Sequence, residues 1–389
     1  MISGGPKRFT VLFAGGGTGG HLMPGLSVAG ELRRQYPNSR PVFAGTNKPV
    51  ERYLVTHHGF EFFELPSLKL PPSALKAPAW MFRSTTGLVS AARLLRQVQP
   101  DLVVSLGGYA ALAPSMAAVM GGTPVVVMEQ NAVPGRANRL LAWWAREVYV
   151  PWPGTEQSFP HVERVHVTGN PVRMDLAERK NRRLAARFDL SPRKRTLLVM
   201  GGSQGAQRIN EAVVNMLDRL TAEASWLQVL HSTGEPHIES VRAAYEKHDM
   251  EATVLPYIDD MASAYGFCDL ALCRAGGTTL AELTALGVPA VLVPLPTAAN
   301  DHQRRNADVL VREGGAVVIE QNDLRNGRLA DTLIGILRDE PRLERMREAG
   351  LRMGRPAAAA NVVEHLMGVM TDRAAPAGFE FAAAGERST

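Results

Sequence analysis

Three stretches of this chain place glycine beside a hydroxyl where an apolar run gives way to a helical one: AGGGTGGH at 14–21, GGSQGA at 201–206 and RAGGTTLAE at 274–282. Free amide N–H groups and the helix dipole at such a turn favour an anion, and glycine lets a phosphate approach the backbone. Thr18, Gly19 and Gly20 carry that geometry in the first stretch, and Ser203 adds a hydroxyl donor in the second. Two such turns fit a grip on one diphosphate from both walls of a cleft. His21 opens the helix after the first turn. There it either stays a neutral imidazole that accepts a proton near neutral pH, or bonds the local backbone. In the third stretch Thr279 and Glu282 fit a capping box, while Glu282 equally suits a ribose, whose two hydroxyls need a two-oxygen acceptor. Glu129-Gln130-Asn131 end an apolar run, with Asn138 close behind. Polar groups at a carboxyl strand end suit sugar hydroxyls, although Asn131 could also cap the loop.

Several familiar chemistries are excluded. Gly15, Gly17 and Gly20 satisfy GxGxxG, but a dinucleotide site expects an acidic residue about 20 residues on. The second apolar run instead ends Ala44-Gly45-Thr46-Asn47, and no lysine follows the loop as a Walker site requires. A glycine turn that only packs helix on sheet remains the alternative. No DxD pair is present, so a metal bridging phosphates lacks evident ligands, and helix ends with arginine must replace it. Cys268 and Cys273 are the only cysteines. They suit a reducing compartment, are expected on opposite faces of one strand, and make no zinc site.

These residues need strand ends to hold them. Short β-rich runs (RFTVLFA, PVFAG, DLVVSLG, PVVVMEQ, then TLLVMGG, LQVLHSTG, DLALCRAGG, PAVLVPLP) alternate with helical stretches, the pattern of parallel sheets built from βαβ units. The halves echo each other: TVLFAGGGTGG with TLLVMGGSQGA, and DLVVSLGGY with DLALCRAGG. The expected architecture is α/β, with two doubly wound domains. The first spans 1–168, a linker 169–173 follows at Gly169-Asn170-Pro171-Val172-Arg173, and the second spans 174–356. A last helix over 357–372 is expected to pack back on the first domain, and 373–389 to form a disordered tail.

Composition narrows the partners. With 43 Lys+Arg against 38 Asp+Glu, the net charge of +5 is a mild anionic preference and no nucleic-acid signature. The start of the chain does not read as a signal peptide. Residues 102–128 carry no charge and could cross a bilayer by length, but Gly107-Gly108 and Gly121-Gly122-Thr123-Pro124 split them into strand, helix and strand. In 66–83, Leu75, Trp80, Met81 and Phe82 lie among Lys69, Lys76 and Arg83. That mixture suits docking on an anionic leaflet or a loop packed inward.

AGGGTGGHLMPG, SLGGYAALAPSMAA, EQNAVPGRANR, GNPVR, GGSQGAQRIN, YIDDMASAY, CRAGGTTLAEL and DHQRRNA occur here in that order. Together they resemble the MurG-type transferases of peptidoglycan assembly over nearly the whole chain. The resemblance implies a GT-B fold, two Rossmann-like domains facing across a cleft. It implies inverting transfer of N-acetylglucosamine from UDP-GlcNAc to the 4-hydroxyl of undecaprenyl-pyrophosphoryl-MurNAc-pentapeptide, turning lipid I into lipid II. Donor contacts then fall on Thr18, Gly19, Gly20, Asn131, Arg173, Ser203, Ile258, the run Gly277, Thr278, Thr279, Leu280, Ala281 and Glu282, and Gln303. Ile258 would meet the uracil edge, Glu282 the ribose, Gln303 the sugar hydroxyls, and Arg173 with Ser203 the diphosphate. His21 is the expected base, with Tyr109 and Glu129 as the other candidates. A lipid-linked acceptor favours docking by Leu75, Lys76, Trp80, Met81, Phe82 and Arg83 on the anionic inner leaflet, at the cytoplasmic face of the cell membrane. No cofactor is required, a divalent cation could at most stimulate, and other wall-synthesis proteins are the conceivable macromolecular partners. A UDP-GlcNAc 2-epimerase of the same fold and a non-catalytic UDP-sugar-binding scaffold are the rival readings.

Overall fold

The computed structural model describes residues 8–16, 19–66, 77–173, 181–202, 206–325 and 327–371, with backbone alone for 77–85 and 325. Two parallel sheets carry the fold. The first contains β1 (Phe9–Gly15), β2 (Ser39–Gly45), β3 (Glu61–Glu64), β4 (Leu102–Gly107), β5 (Val125–Met128), β6 (Glu147–Val150) and β7 (Val165–Val167). Their order is β3-β2-β1-β4-β5-β6-β7. The second contains β8 (Arg195–Met200), β9 (Leu227–Ser232), β10 (Ala252–Leu255), β11 (Leu270–Cys273), β12 (Ala290–Leu292) and β13 (Ala316–Val318), in the order β10-β9-β8-β11-β12-β13. Every pairing is parallel. Strand order reverses between β1 and β4 and again between β8 and β11, and crevices for ligands open at such switch points.

The apolar runs become strands because helices cover both faces. Val11, Leu12, Phe13 and Ala14 of β1 are buried without interruption, as are all six residues of β4. The uncharged stretch 102–128 resolves into β4, a short turn, the helix Leu112–Met120 and β5. Among the described residues no helix is long and apolar enough to cross a membrane.

Two chain crossings join the sheets. Gly169 adopts φ +87°, and a Cβ there would lie 2.4 Å from Cβ of Arg355, so the outgoing and returning strands of chain touch. The returning helix Ala358–Thr371 buries Val362, Val363 and Leu366 in the same cluster as Val11, Phe13, Leu22, Leu26 and Tyr149 of the first sheet layer. The cysteines depart from expectation. Pairing of β11 with β8 begins only at Leu270, so Cys268 follows the helix Met261–Phe267 while Cys273 ends the strand. Both thiols are buried in one cluster rather than on opposite faces.

Candidate active site

The carboxyl ends of β1, β4 and β5 meet at His21. The first glycine turn is shaped by packing as much as by any ligand. A Cβ on Gly15 would lie 2.6 Å from Cβ of Leu106, and one on Gly16 would lie 2.4 Å from Oε2 of Glu51. Glu51 is fully buried in the helix Pro49–His57, where its carboxylate accepts from Thr46 N and Thr46 Oγ1, both at 2.7 Å. This glutamate underlies the turn, and nothing in the sequence marks it. Gly19 and Gly20 open the helix Gly19–Gln35; Thr18 lies outside the described residues.

The His21 ring reaches across to the loop after β5. Its Nδ1 lies 2.9 Å from Oε1 of Gln130, just past β5. The other end of that amide, Nε2, donates to Met128 O at 3.1 Å. A carbonyl only accepts, so the NH2 end of Gln130 faces Met128 and its oxygen faces His21. Nδ1 of His21 is therefore the donor, and Nε2 is the basic nitrogen of the neutral ring. Gly107 and Gly108, at φ +88° and +72°, carry β4 past this ring: a Cβ on Gly108 would sit 2.8 Å from Gly16 O and 3.9 Å from Cδ2 of His21. Tyr109 follows them on a short turn with its side chain exposed.

Glu129 corrects one expectation. It is buried, and its carboxylate accepts from Gln130 N, Asn131 N, Asn131 Nδ2, Gly135 N and Asn138 Nδ2 at 2.9–3.1 Å. A carboxylate engaged by five donors has both oxygens committed to its own loop. Glu129 shapes the loop and is not a candidate base.

That loop meets the second domain through a residue the motifs did not single out. Asn306, fully buried in the helix His302–Arg312, accepts from Ala132 N at 2.8 Å and donates to Asn131 Oδ1 and Ala275 O, each at 3.1 Å. Asn131 is thus held at both ends of its amide, by Glu129 and by Asn306. Nearby, Thr278 Oγ1 donates to Gly20 O at 3.0 Å, so the N-termini of the helices Gly19–Gln35 and Gly277–Leu286 face each other. A Cβ on Gly277 would lie 2.0 Å from Gln130 O, which makes glycine necessary at that contact.

The third turn forms no capping box. The helix Gly277–Leu286 is capped at Gly276 without a side-chain bond, which puts Glu282 a turn too far along. Glu282 is buried and pairs with Arg173 of the linker, Oε1 to Nε at 3.3 Å, while its Oε2 accepts from Tyr265 OH at 3.0 Å. Burial and the Glu282 charge push the Tyr265 pKa well above its ordinary value, so the phenol stays a donor. Ile258, Leu280 and Ala281 are buried in the same cluster as Tyr265. Gln303 accepts from Leu295 N at 3.0 Å through Oε1, so its NH2 end is the one able to turn to a ligand. Thr279 is half-buried beside Thr278, and Ser203 lies outside the described residues. Leu75 and Lys76 also lie outside them. Trp80, Met81, Phe82 and Arg83 belong to the helix Ala77–Val98, with side chains outside the description.

Residues 11–150 match the glycosyltransferase family 28 N-terminal domain, and residues 196–362 match the glycosyltransferase family 28 C-terminal domain. A relative from Nitratidesulfovibrio vulgaris Hildenborough is named UDP-N-acetylglucosamine--N-acetylmuramyl-(pentapeptide) pyrophosphoryl-undecaprenol N-acetylglucosamine transferase. It is 42% identical over 358 residues, covering 92% of this chain and 96% of the relative. A protein of the same name from Geobacter metallireducens is 37% identical over 360 residues, covering 92% and 98%. The crystal structure of Acinetobacter baumannii MurG superposes with a TM-score of 0.73 at 29% identity, over 92% of this chain and 99% of that one. A UDP-GlcNAc 2-epimerase from Neisseria meningitidis, at 16% identity and TM-score 0.64 over 92% and 100%, shares the fold alone.

Two Rossmann-like domains facing across a cleft form a GT-B fold, and the family 28 domains matched in both halves make the chain a hexosyltransferase. The matches at 37–42% identity over nearly the whole chain carry the assignment further. The chain belongs to the MurG family of glycosyltransferase family 28.

Proposed function

We propose that this enzyme transfers N-acetylglucosamine from UDP-GlcNAc to the 4-hydroxyl of undecaprenyl-pyrophosphoryl-MurNAc-pentapeptide, with inversion at the anomeric carbon. The observation that carries this reading is the His21–Gln130 pair at the meeting of two helix N-termini. Nε2 of His21 takes the proton from the attacking hydroxyl as the bond from sugar to UDP breaks. The departing diphosphate gathers negative charge. The N-termini of Gly19–Gln35 and Gly277–Leu286, with Arg173 and Ser203, stabilise it more than they stabilise the intact donor. Glu282 turns from Arg173 to the ribose, with Tyr265 holding its second oxygen. Ile258 presents backbone to the uracil, and Gln303 its amide to the sugar. Tyr109 lines the acceptor side. The step needs no cofactor, and a divalent cation at most stimulates it.

The acceptor is lipid-linked, and the same reading seats the enzyme peripherally on the anionic cytoplasmic leaflet. Beyond Leu75 to Arg83, an exposed face supports this: Leu140, Trp143 and Trp144 stand in water beside exposed Arg136, Arg139 and Arg146, with Trp143 57% accessible. Large apolar side chains interleaved with arginine suit an anionic headgroup layer. The experiment is UDP release from UDP-GlcNAc with and without the lipid-linked acceptor. Release that requires the acceptor supports transfer. Interconversion of the UDP-sugar without acceptor, or binding without turnover, contradicts it.

A further inference from the structure

Away from the cleft, three side chains with no part in the transfer converge on one point. Glu147 opens β6, at the strand end opposite to the one that leads into Glu129, Gln130 and Asn131. His166 lies on the neighbouring edge strand β7, paired in register with Tyr149. His365 arrives from the returning helix Ala358–Thr371. One ligand atom from each lies within 4.8 Å of the others. Nδ1 of His365 is 3.1 Å from Oε2 of Glu147, Nε2 of His166 is 3.6 Å from Oε1, and the two imidazole centroids are 4.2 Å apart.

We propose that Glu147, His166 and His365 form a zinc site that pins the last helix of the chain to the edge of the first sheet. Tetrahedral zinc with nitrogen and oxygen ligands separates neighbouring ligand atoms by roughly 3.3 Å. His365 and His166 reach the two different oxygens of Glu147 at 3.1 and 3.6 Å, and one ligand atom from each residue lies within 4.8 Å of the others, so the set must draw in by about an ångström to close on an ion. Two imidazoles and one carboxylate are a donor set suited to a borderline divalent ion, with water as the fourth ligand. An outer partner is in place as well. Buried Tyr149 donates its hydroxyl to Oε2 of Glu147 at 2.9 Å, fixing the carboxylate as outer-shell groups do in metal sites. All three ligands are partly exposed, at 24–33% of the side chain, so an ion can enter from solvent.

The position gives the site a consequence. The chain between His166 and His365 contains the whole second sheet. An ion here ties the returning segment to the first domain, and a clip across a long loop removes much freedom from the unfolded chain. The other possibility is a hydrogen-bonded cluster that needs no metal.

The test is calorimetric titration of the chelator-treated full chain with zinc chloride alone, with melting temperatures in parallel. The proposal expects one saturable equivalent and a zinc-dependent rise in Tm. His166→Gln and His365→Gln should each weaken binding more than about 100-fold, while Tyr149→Phe should weaken it about 10–100-fold. Zinc-free melting curves show whether each variant folds. No binding by the wild-type chain, or equal binding by a folded chain carrying both histidine substitutions, overturns the site.

Discussion

Gln130 fixes the tautomer of His21. Oε1 of Gln130 stands 2.9 Å from Nδ1 while the other end of the amide is tied to Met128 O, so the imidazole proton sits on Nδ1 and the lone pair on Nε2. A flexible ring would spend part of its time with the wrong nitrogen protonated. Gln130→Met, which keeps the volume and removes both bonds, is expected to lower turnover about 10–100-fold, less than loss of the base itself. The KM for UDP-GlcNAc should stay within a few-fold, because the donor is held elsewhere. A purely structural Gln130 would move both constants or neither, and steady-state kinetics separates these cases.

Glu282 faces Arg173 and Tyr265 rather than the start of its own helix, so its removal is not a capping change. Glu282→Ala should weaken UDP binding by tenfold or more through the lost ribose contacts. It should also cost about 1–3 kcal/mol of stability, because the buried Tyr265 hydroxyl loses its acceptor. Calorimetry with UDP and thermal melting report the two effects separately. Nucleotide affinity equal to wild type would leave Glu282 as an internal strut for Arg173 and Tyr265.

A second histidine sets an acid limit on stability. His231 is fully buried on β9, bonded to Tyr245 OH at 3.2 Å and Asn210 Oδ1 at 3.1 Å, and burial pushes its pKa down to about 3. Its ordinary value is about 6.5, so between those pH values the unfolded chain binds a proton that the folded one does not. Stability therefore rises with pH through this window and is lost as pH falls below about 6.5. The slope from this residue is about 1.4 kcal/mol per pH unit. Urea unfolding between pH 4 and 7 should show that slope, flattened in His231→Gln. An unchanged slope in the variant would assign acid sensitivity to other groups.

The sheets were legible because buried parallel strands leave continuous apolar runs, and the breaks at Gly107-Gly108 and Gly121-Gly122 separated 102–128 into its three elements. The first glycine turn meets the third, at Thr278 and Gly20, and not the second with which the sequence pairs it, because the helix starts at Gly19 and Gly277 bring those two ends together. The roles of Gln130 and Asn306 were hidden for a common reason. Each acts through a partner distant in sequence, 109 residues for Gln130 and His21 and 174 for Asn306 and Ala132, and no local pattern encodes that. Glu51 bonds Thr46 only five residues away, and its packing under Gly16 has no signature in the glycine run. Glu129 misled because its type suited a base, while its five donors come from the loop it organises. The pairing of Glu282 with Arg173 was equally invisible, because a capping pattern in sequence says nothing of where the helix begins.

Proton removal from the acceptor by His21 is the step on which the transfer turns. It is tested most directly by steady-state transfer to the lipid-linked acceptor in wild type and His21→Ala, with UDP-GlcNAc affinity measured on the same preparations. Loss of a general base lowers turnover about 10²–10⁴-fold, so His21→Ala is expected to fall in that range with donor affinity nearly unchanged. Turnover within a few-fold of wild type would contradict it and leave Tyr109 as the candidate nearest the turn.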